Sequence, residues 1–263
     1  MSKTRRVLLI LLALAVLKRP LDILLAVILP DPSVNPAPQC IAGMAVTILL
    51  LGVPAMLMLP WTSARLTKAK SAWPGLLMAG AAAVMSRTAM TPVDAAWQNW
   101  LNLVPAALPA PESVPMAMLY IAALALVPAI TEEVFFRGAA LTSLLDGSHR
   151  TTAVLLTTVI FVLMHGSIAD IPSLLVISLM MTLLMLHTGH IAVPMTAHLV
   201  YNLTALNWIA IPLWGSLLCG AGLIALTSYI CVRQPKVVHP PMKWADGLIA
   251  AATIVVLAAA YFV

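Results

Sequence analysis

Two adjacent glutamates, Glu132 and Glu133, are the residues of this sequence best suited to chemistry. The chain holds only three glutamates, and these two directly follow an apolar run over residues 116–130 that indicates burial in a membrane. A carboxylate at bilayer depth costs roughly 2.5–3.5 kcal/mol on insertion scales, so an ionisable residue there indicates a functional site by default.

The two glutamates are expected to have different roles. Neighbouring residues on a helix point about 100° apart, so the two carboxylates are not expected to share one role. Arg137 follows Glu133 by four residues, which is the favourable order for an ion pair along a helix. We therefore predict that Glu133 and Arg137 form a supporting structural pair, and that Glu132 faces another element.

The spacing of the chain predicts His165 as the residue that faces Glu132. Residues 146–150 contain the Asp and Gly typical of a chain reversal. Glu132 lies sixteen residues before the centre of that turn at Ser148, and His165 lies seventeen residues after it. At about 1.5 Å per helical residue, a hairpin places both side chains at similar depth.

A second polar pair occurs farther along the chain. His198 and Asn202 lie four residues apart within an apolar run, so they share one face of a helix. Polar side chains in a membrane helix face the interior of the bundle or a water-filled cavity rather than lipid. His198 and Asn202 are therefore candidates for the same site as Glu132 and His165.

The composition defines the class of protein that must position these residues. The chain is 62% hydrophobic and 9% charged, whereas soluble domains are about 45–50% apolar and about 25% charged. Alternating strands of the barrel type are absent, so we expect an all-α, polytopic transmembrane helix bundle. The net charge of +5 comes from short basic clusters that indicate topology rather than nucleic-acid binding. The three separated cysteines are expected to be small buried residues.

We predict eight to nine membrane helices in one membrane domain, residues 1–263, with a catalytic core of four helices at about residues 116–210. The predicted segments are residues 7–29, 40–59, 74–90, 116–130, 151–165, 171–186, 191–209, 212–232 and 244–263. The first is interrupted by Lys18, Pro20 and Asp22, so it is either a kinked span with a buried ion pair or an interfacial helix. Residues 91–115, with Trp97 and Trp100, are predicted to form an interfacial loop.

The distribution of basic residues predicts the orientation. With nine crossings and a cytoplasmic N-terminus, four basic segments fall on the cytoplasmic side: the N-terminal cluster, residues 65–70, the turn at Arg150 and residues 233–243. With eight crossings the agreement weakens. The short loops and the compact size favour a bacterial cytoplasmic membrane.

Three motifs together resemble the CAAX prenyl protease and bacteriocin-processing family, also called the type II CAAX endopeptidase or Abi family. The motif Glu-Glu-x-x-x-Arg corresponds to residues 132–137, Phe-x-x-x-His to residues 161–165, and His-x-x-x-Asn to residues 198–202. Each motif alone is weak, but their order in four consecutive apolar segments makes a specific match over residues 116–210.

The resemblance implies an intramembrane endopeptidase. In such a site Glu132 and His165 activate a water, and His198 and Asn202 stabilise the oxyanion, with Glu133 and Arg137 in support. The implied partners are membrane lipid and a peptide or lipidated protein substrate. The oligomeric state does not follow from the sequence.

The sequence is compatible with a site that uses a metal and with one that does not. Glu132, His165 and His198 are possible ligands of a divalent metal such as zinc with an open fourth position, and the family is often labelled metalloprotease. The glutamate-and-water chemistry requires no cofactor, and the sequence lacks the His-Glu-x-x-His motif. We favour the metal-independent chemistry.

Two other functions compete with proteolysis. One is a non-catalytic membrane immunity or peptide-binding protein on the same scaffold. The other is a proton-coupled transporter that uses the buried Glu and His as a relay. The intact set of motifs argues against the first, and the absence of matched internal repeats argues against the second.

Overall fold

The regular structure is entirely helical in the part of the chain that the structure describes. A computed structural model describes residues 1–58, 73–104, 109–206, 212–233 and 240–261. In these ranges the helices are α1 (Lys3–Ile28), α2 (Ala37–Met58), α3 (Trp73–Trp100), α4 (Val114–Leu145), α5 (Arg150–His165), α6 (Ile171–Thr188), α7 (Ala192–Ala205), α8 (Leu213–Arg233) and α9 (Trp244–Ala259). A single turn of 3-10 helix, Ile168–Asp170, precedes α6.

The predicted polytopic helix bundle is confirmed. Within the described ranges, five helices are long and apolar enough to cross a membrane, namely α2, α3, α4, α6 with its preceding turn, and α8. Helices α5 and α9 are apolar but shorter. The chain is therefore a multi-pass membrane protein, and a total of eight or nine crossings stays a prediction.

Helix α3 is longer than the sequence predicted. The expected span of residues 74–90 continues to Trp100 through Pro92, so the prediction of a loop from residue 91 is wrong for its first ten residues. Contacts with the start of α6 hold this end of the helix. The indole Nε1 of Trp97 donates to the carbonyl of Ile168 at 2.8 Å, and Asp94 Oδ1 accepts from the backbone N–H of Ser173 at 3.1 Å. Tertiary packing has overridden the helix-breaking tendency of proline.

Helix α1 also continues through a proline, Pro20. Lys18 and Asp22 form an ion pair, with Nζ and Oδ2 2.6 Å apart. Their side chains are 23% and 40% exposed, so the ion pair of the kinked-span alternative is present but only partly buried. The basic residues 65–70 lie outside the described residues, as do residues 234–239 of the basic loop before α9.

Close packing in the bundle centres on α3, which contacts α6, α7 and α8. Its alanines Ala79, Ala82 and Ala83 are fully buried, and such small residues let membrane helices approach closely. The predicted hairpin forms between α4 and α5 through residues 146–149. Of the cysteines expected to be buried, Cys40 is buried but Cys231 is exposed.

Candidate active site

The adjacent glutamates at the middle of α4 face different surroundings, as their helical offset predicts. The side chain of Glu132 is 13% exposed and lines a cavity of about 440 Å³. The side chain of Glu133 has no exposed surface and points into the core. The two carboxylates therefore serve separate clusters of residues.

Glu132 lies beside His165 across the α4–α5 hairpin. Glu132 Oε2 and His165 Nε2 are 3.7 Å apart, which confirms the predicted match in depth. The other ring nitrogen, Nδ1, lies 2.8 Å from the carbonyl oxygen of Phe161. A carbonyl only accepts, so Nδ1 carries a proton. In the neutral imidazole, the lone pair on Nε2 then faces the carboxylate side of the cavity.

The predicted ion pair between Glu133 and Arg137 is confirmed and is fully buried. The Nη1 of Arg137 donates to Glu133 Oε1 at 2.7 Å. Its Nη2 donates to the carbonyl of Ser178 at 3.0 Å and lies 2.8 Å from the Ser178 hydroxyl. Arginine suits this position because its planar guanidinium reaches two partners at once.

Glu133 also orients His198, a contact that the sequence did not predict. His198 Nδ1 lies 2.9 Å from the same Oε1 atom that accepts from Arg137. The two residues are 65 positions apart, so no local spacing could reveal the pair. A carboxylate that accepts from Nδ1 fixes the orientation of the ring and leaves Nε2 directed away from Glu133.

Phe161 connects the two clusters. Its ring centroid lies 4.5 Å from that of His165 and 5.8 Å from that of His198. The guanidinium carbon of Arg137 lies 4.4 Å from the same centroid, which is the range of a cation–π contact. Phe161 therefore contacts both histidines with its ring, and its backbone carbonyl accepts from His165.

A π-helical segment, Val134–Ala140, begins directly after the glutamates. Such wide turns are rare in helices and are frequent at functional sites. This one contains Arg137 and the buried Phe136, whose ring packs edge-on against Phe161 with centroids 5.1 Å apart. The irregular turn thus occurs where α4 supplies the side chains of the site.

Asn202 lies one turn after His198 on α7 and is half-buried. Its spacing puts it on the face that carries His198. The structure therefore pairs Glu132 with His165, and it pairs Glu133 with both Arg137 and His198. The place of Asn202 in the site stays a prediction from its four-residue spacing to His198.

The cavity beside Glu132 extends to the first two helices, which the motifs do not cover. Lys18 and Asp22 of α1 line it, together with Gln39 and Gly43 of α2. The signal for α1 was present in the sequence, because Lys18 and Asp22 are two charged residues within one apolar segment. Most of the remaining lining is apolar: Leu25, Ala26, Val46, Leu50, Leu51, Phe136 and Met164.

The side chains proposed as metal ligands do not converge on one point. Within the described ranges, no group of three or more His, Cys, Asp or Glu side chains is arranged to hold a metal ion. His198 directs Nδ1 to Glu133, while Glu132 is adjacent to His165. The three-ligand set Glu132, His165 and His198 therefore does not fit this geometry, and we derive no step through a metal.

Part of this chain, including the site, is similar to a known protein family. Residues 114–204 match the family model described as Rce1-like, type II CAAX prenyl endopeptidase. The resemblance predicted from the three motifs is thus confirmed, over a segment close to the predicted core of residues 116–210. That model describes a family of CAAX-type endopeptidases, and its match to this chain is confined to residues 114–204 of 263. No curated protein and no solved structure matches the chain.

Proposed function

We propose that this protein is an intramembrane endopeptidase that cleaves a peptide bond of a lipidated protein or peptide precursor. The observation that carries the proposal is the pairing of Glu132 with His165 at the wall of a largely apolar cavity. A carboxylate beside an imidazole at such a site has the components of a general base.

In the proposed reaction, one water is bound beside Glu132 and His165 and donates to both. Glu132 Oε2 and His165 Nε2 are 3.7 Å apart, which is longer than a hydrogen bond, so each is left to accept from that water. Glu132 accepts a proton as the water oxygen bonds to the scissile carbonyl carbon. The C–N bond then breaks, and the accepted proton passes to the amine that leaves. One water is consumed, and a carboxylic acid and an amine are formed.

His198 and Asn202 are proposed to stabilise the oxyanion of the tetrahedral intermediate. Asn202 can donate through its amide. His198 directs Nδ1 at Glu133, so Nε2 is the ring atom left to face the oxyanion. Arg137 balances the charge of Glu133 in the buried cluster beneath it. Donors fixed in place before the reaction are the ones that stabilise a developing oxyanion best.

The lining of the cavity supports an apolar or lipidated substrate that arrives from the membrane. Leu25 and Ala26 on one wall and Val46 and Leu50 on another offer an apolar surface, and Lys18 adds a cationic group.

The membrane is proposed to be a bacterial cytoplasmic membrane with the N-terminus on the cytoplasmic side. The proposed reaction needs no metal, and metal analysis of the purified protein tests this point.

The decisive experiment compares Glu132→Gln with the unchanged protein. We expect mass spectrometry of membrane-associated peptides to detect products that disappear in Glu132→Gln. With a reporter precursor, kcat is expected to fall about 100- to 10,000-fold, which is the contribution typical of a general base. The matched control is Glu112→Gln, because Glu112 is the one other glutamate and is exposed.

Full biological activity in Glu132→Gln, at equal protein level, would contradict the proposal. Retained activity with retained peptide binding would favour the immunity or peptide-binding alternative. Proton flux that Glu132→Gln abolishes, without any peptide products, would favour the transporter alternative.

A further inference from the structure

A second cavity, of about 550 Å³, reaches His165 from other helices than the first. The cavity beside Glu132 is enclosed by α1, α2, α4 and α5, whereas this one is bounded by α3, α6, α7 and the α5–α6 connection. His165 lines both, and its side chain is 29% exposed. We name this space the α3–α6–α7 cavity.

The α3–α6–α7 cavity differs from the first in its polarity. Its walls carry hydrogen-bonding side chains on every bounding element: Arg87, Thr91, Asp94 and Gln98 on α3, Asp170 and Ser173 near the start of α6, and Tyr201 on α7. Cavities lined by polar groups hold water, whereas apolar ones stay dry. The cavity volume is many times the roughly 10–15 Å³ that a single water requires.

The cavity reaches the surface of the bundle at one rim, and polar side chains line its buried part. Thr91 and Ala95 on α3 are exposed, while Asp94 is buried and Ser173 is 1% exposed. The bounding segments are the C-terminal parts of α3, α5 and α7 and the N-terminal end of α6. The opening therefore lies at the end of the bundle away from the Asp146–Arg150 turn, from which α5 starts.

We propose that the α3–α6–α7 cavity is the route by which water reaches His165, separate from the cavity that receives the substrate. The inference rests on the proposed hydrolytic function, because each cleavage consumes one water and the substrate cavity is mostly apolar. When substrate fills the cavity beside Glu132, it excludes water from that cavity. His165 lines both cavities, so water in the α3–α6–α7 cavity passes this side chain to reach the position beside Glu132.

The test uses cysteine labelling in a background in which Cys40, Cys219 and Cys231 are replaced by alanine. Thr91→Cys places a thiol at the rim and Ser173→Cys places one at depth. Ile224→Cys, on an exposed position in the middle of α8, is the lipid-facing control. A permanently charged methanethiosulfonate is added to permeabilised membranes. It reacts with the thiolate, which forms in water and not in hydrocarbon.

A water-filled cavity predicts that Thr91→Cys and Ser173→Cys are labelled about tenfold faster or more than Ile224→Cys. Labelled Thr91→Cys should lose kcat on the order of tenfold with an unchanged KM, because substrate binds elsewhere. Labelling of Ile224→Cys, forced at high reagent concentration, should leave kcat unchanged.

Three outcomes would overturn the proposal. They are labelling of Ser173→Cys no faster than of Ile224→Cys, an unchanged kcat after labelling of Thr91→Cys, and a rise in KM with an unchanged kcat. The last would mean that the cavity binds substrate. Absence of any peptidase activity in the unlabelled protein would instead contradict the proposed function, and the labelling rates alone would then decide whether the cavity is hydrated.

Discussion

One carboxylate oxygen organises the buried half of the site at the scale of single residues. Oε1 of Glu133 accepts from Arg137 and from His198, and neither Glu133 nor Arg137 has exposed side-chain surface. Removing one partner of a buried pair leaves an uncompensated charge in a region of low dielectric. Because separating Glu133 from Arg137 is so unfavourable, Glu133 stays in position and keeps the ring of His198 oriented.

Glu133→Gln is expected to lower the free energy of unfolding by about 3–5 kcal/mol, because Arg137 then keeps its charge without a counter-ion. Denaturant unfolding in detergent measures the loss. The control is Asp22→Asn in the partly exposed pair with Lys18, which should cost about 1 kcal/mol or less. Equal losses in the two variants would contradict the argument.

Asn202→Ala is expected to lower kcat about 100- to 1,000-fold and to leave KM nearly unchanged, because its proposed hydrogen bond forms only with the oxyanion. Steady-state kinetics on a reporter precursor measure both constants. Asn99→Ala on the exposed surface of α3 is the matched control and should match the unchanged protein. A rise in KM alone would assign Asn202 to ground-state binding.

At the scale of elements, α1 is fastened to the turn that joins the two helices of the Glu132–His165 hairpin. The hydroxyl of Thr4 donates to the carbonyl of Ser143 at 2.8 Å, and Lys3 Nζ lies 3.3 Å from Asp146 Oδ2. Gly147 approaches Thr4 so closely that an added Cβ would overlap the Thr4 side chain. This contact sets the position of the helix that supplies Lys18 to the cavity.

Gly147→Ala is expected to destabilise the protein by about 1–3 kcal/mol, because Thr4 must move and lose its bond to Ser143. Thermal unfolding in detergent measures the effect. Gly80→Ala on α3, where an added Cβ has open space, should be neutral or slightly stabilising.

Thr4→Ala tests the cause of that destabilisation. It removes the Thr4 hydroxyl, the group that an added Cβ at residue 147 would overlap most, while the Thr4 Cβ remains. The double variant with Gly147→Ala should therefore be less unstable than the sum of the single variants. Simple additivity would locate the strain elsewhere.

At the scale of the whole molecule, ion pairs gather three distant parts of the chain at one end of the bundle. Lys3 pairs with Asp146 in the hairpin turn, and Arg5 Nε lies 2.7 Å from Oδ1 of the buried Asp246 at the start of α9. Lys3 and Arg5 belong to the basic cluster from which the positive-inside rule predicts a cytoplasmic side at this end. The opening of the α3–α6–α7 cavity lies at the opposite end.

Single-cysteine variants in a cysteine-free background test this orientation. Ser2→Cys and His149→Cys should react with an impermeant maleimide only after the cells are permeabilised. Val104→Cys, which is 93% exposed beyond the end of α3, should react in intact cells. The reverse pattern would contradict the proposed orientation, while the same reactivity at all three positions would contradict the arrangement of the helices.

The local chemistry of this protein follows from residue types and spacing. The offset between Glu132 and Glu133, the four-residue step to Arg137 and the hairpin that sets His165 beside Glu132 are consequences of helical geometry. Composition likewise determines the helical membrane bundle, since backbone groups in lipid must be satisfied within helices or closed barrels.

Only the folded chain joins Glu133 to His198, extends α3 through Pro92 and separates the two cavities at His165. These features depend on which helices pack together, and packing is set by side-chain shape across the whole bundle rather than by any local pattern. Proline and spacing rules describe one element at a time, so they gave a loop at residue 91 where contacts with α6 sustain a helix. The proposed roles of Glu132, His165, His198 and Asn202 rest on both levels.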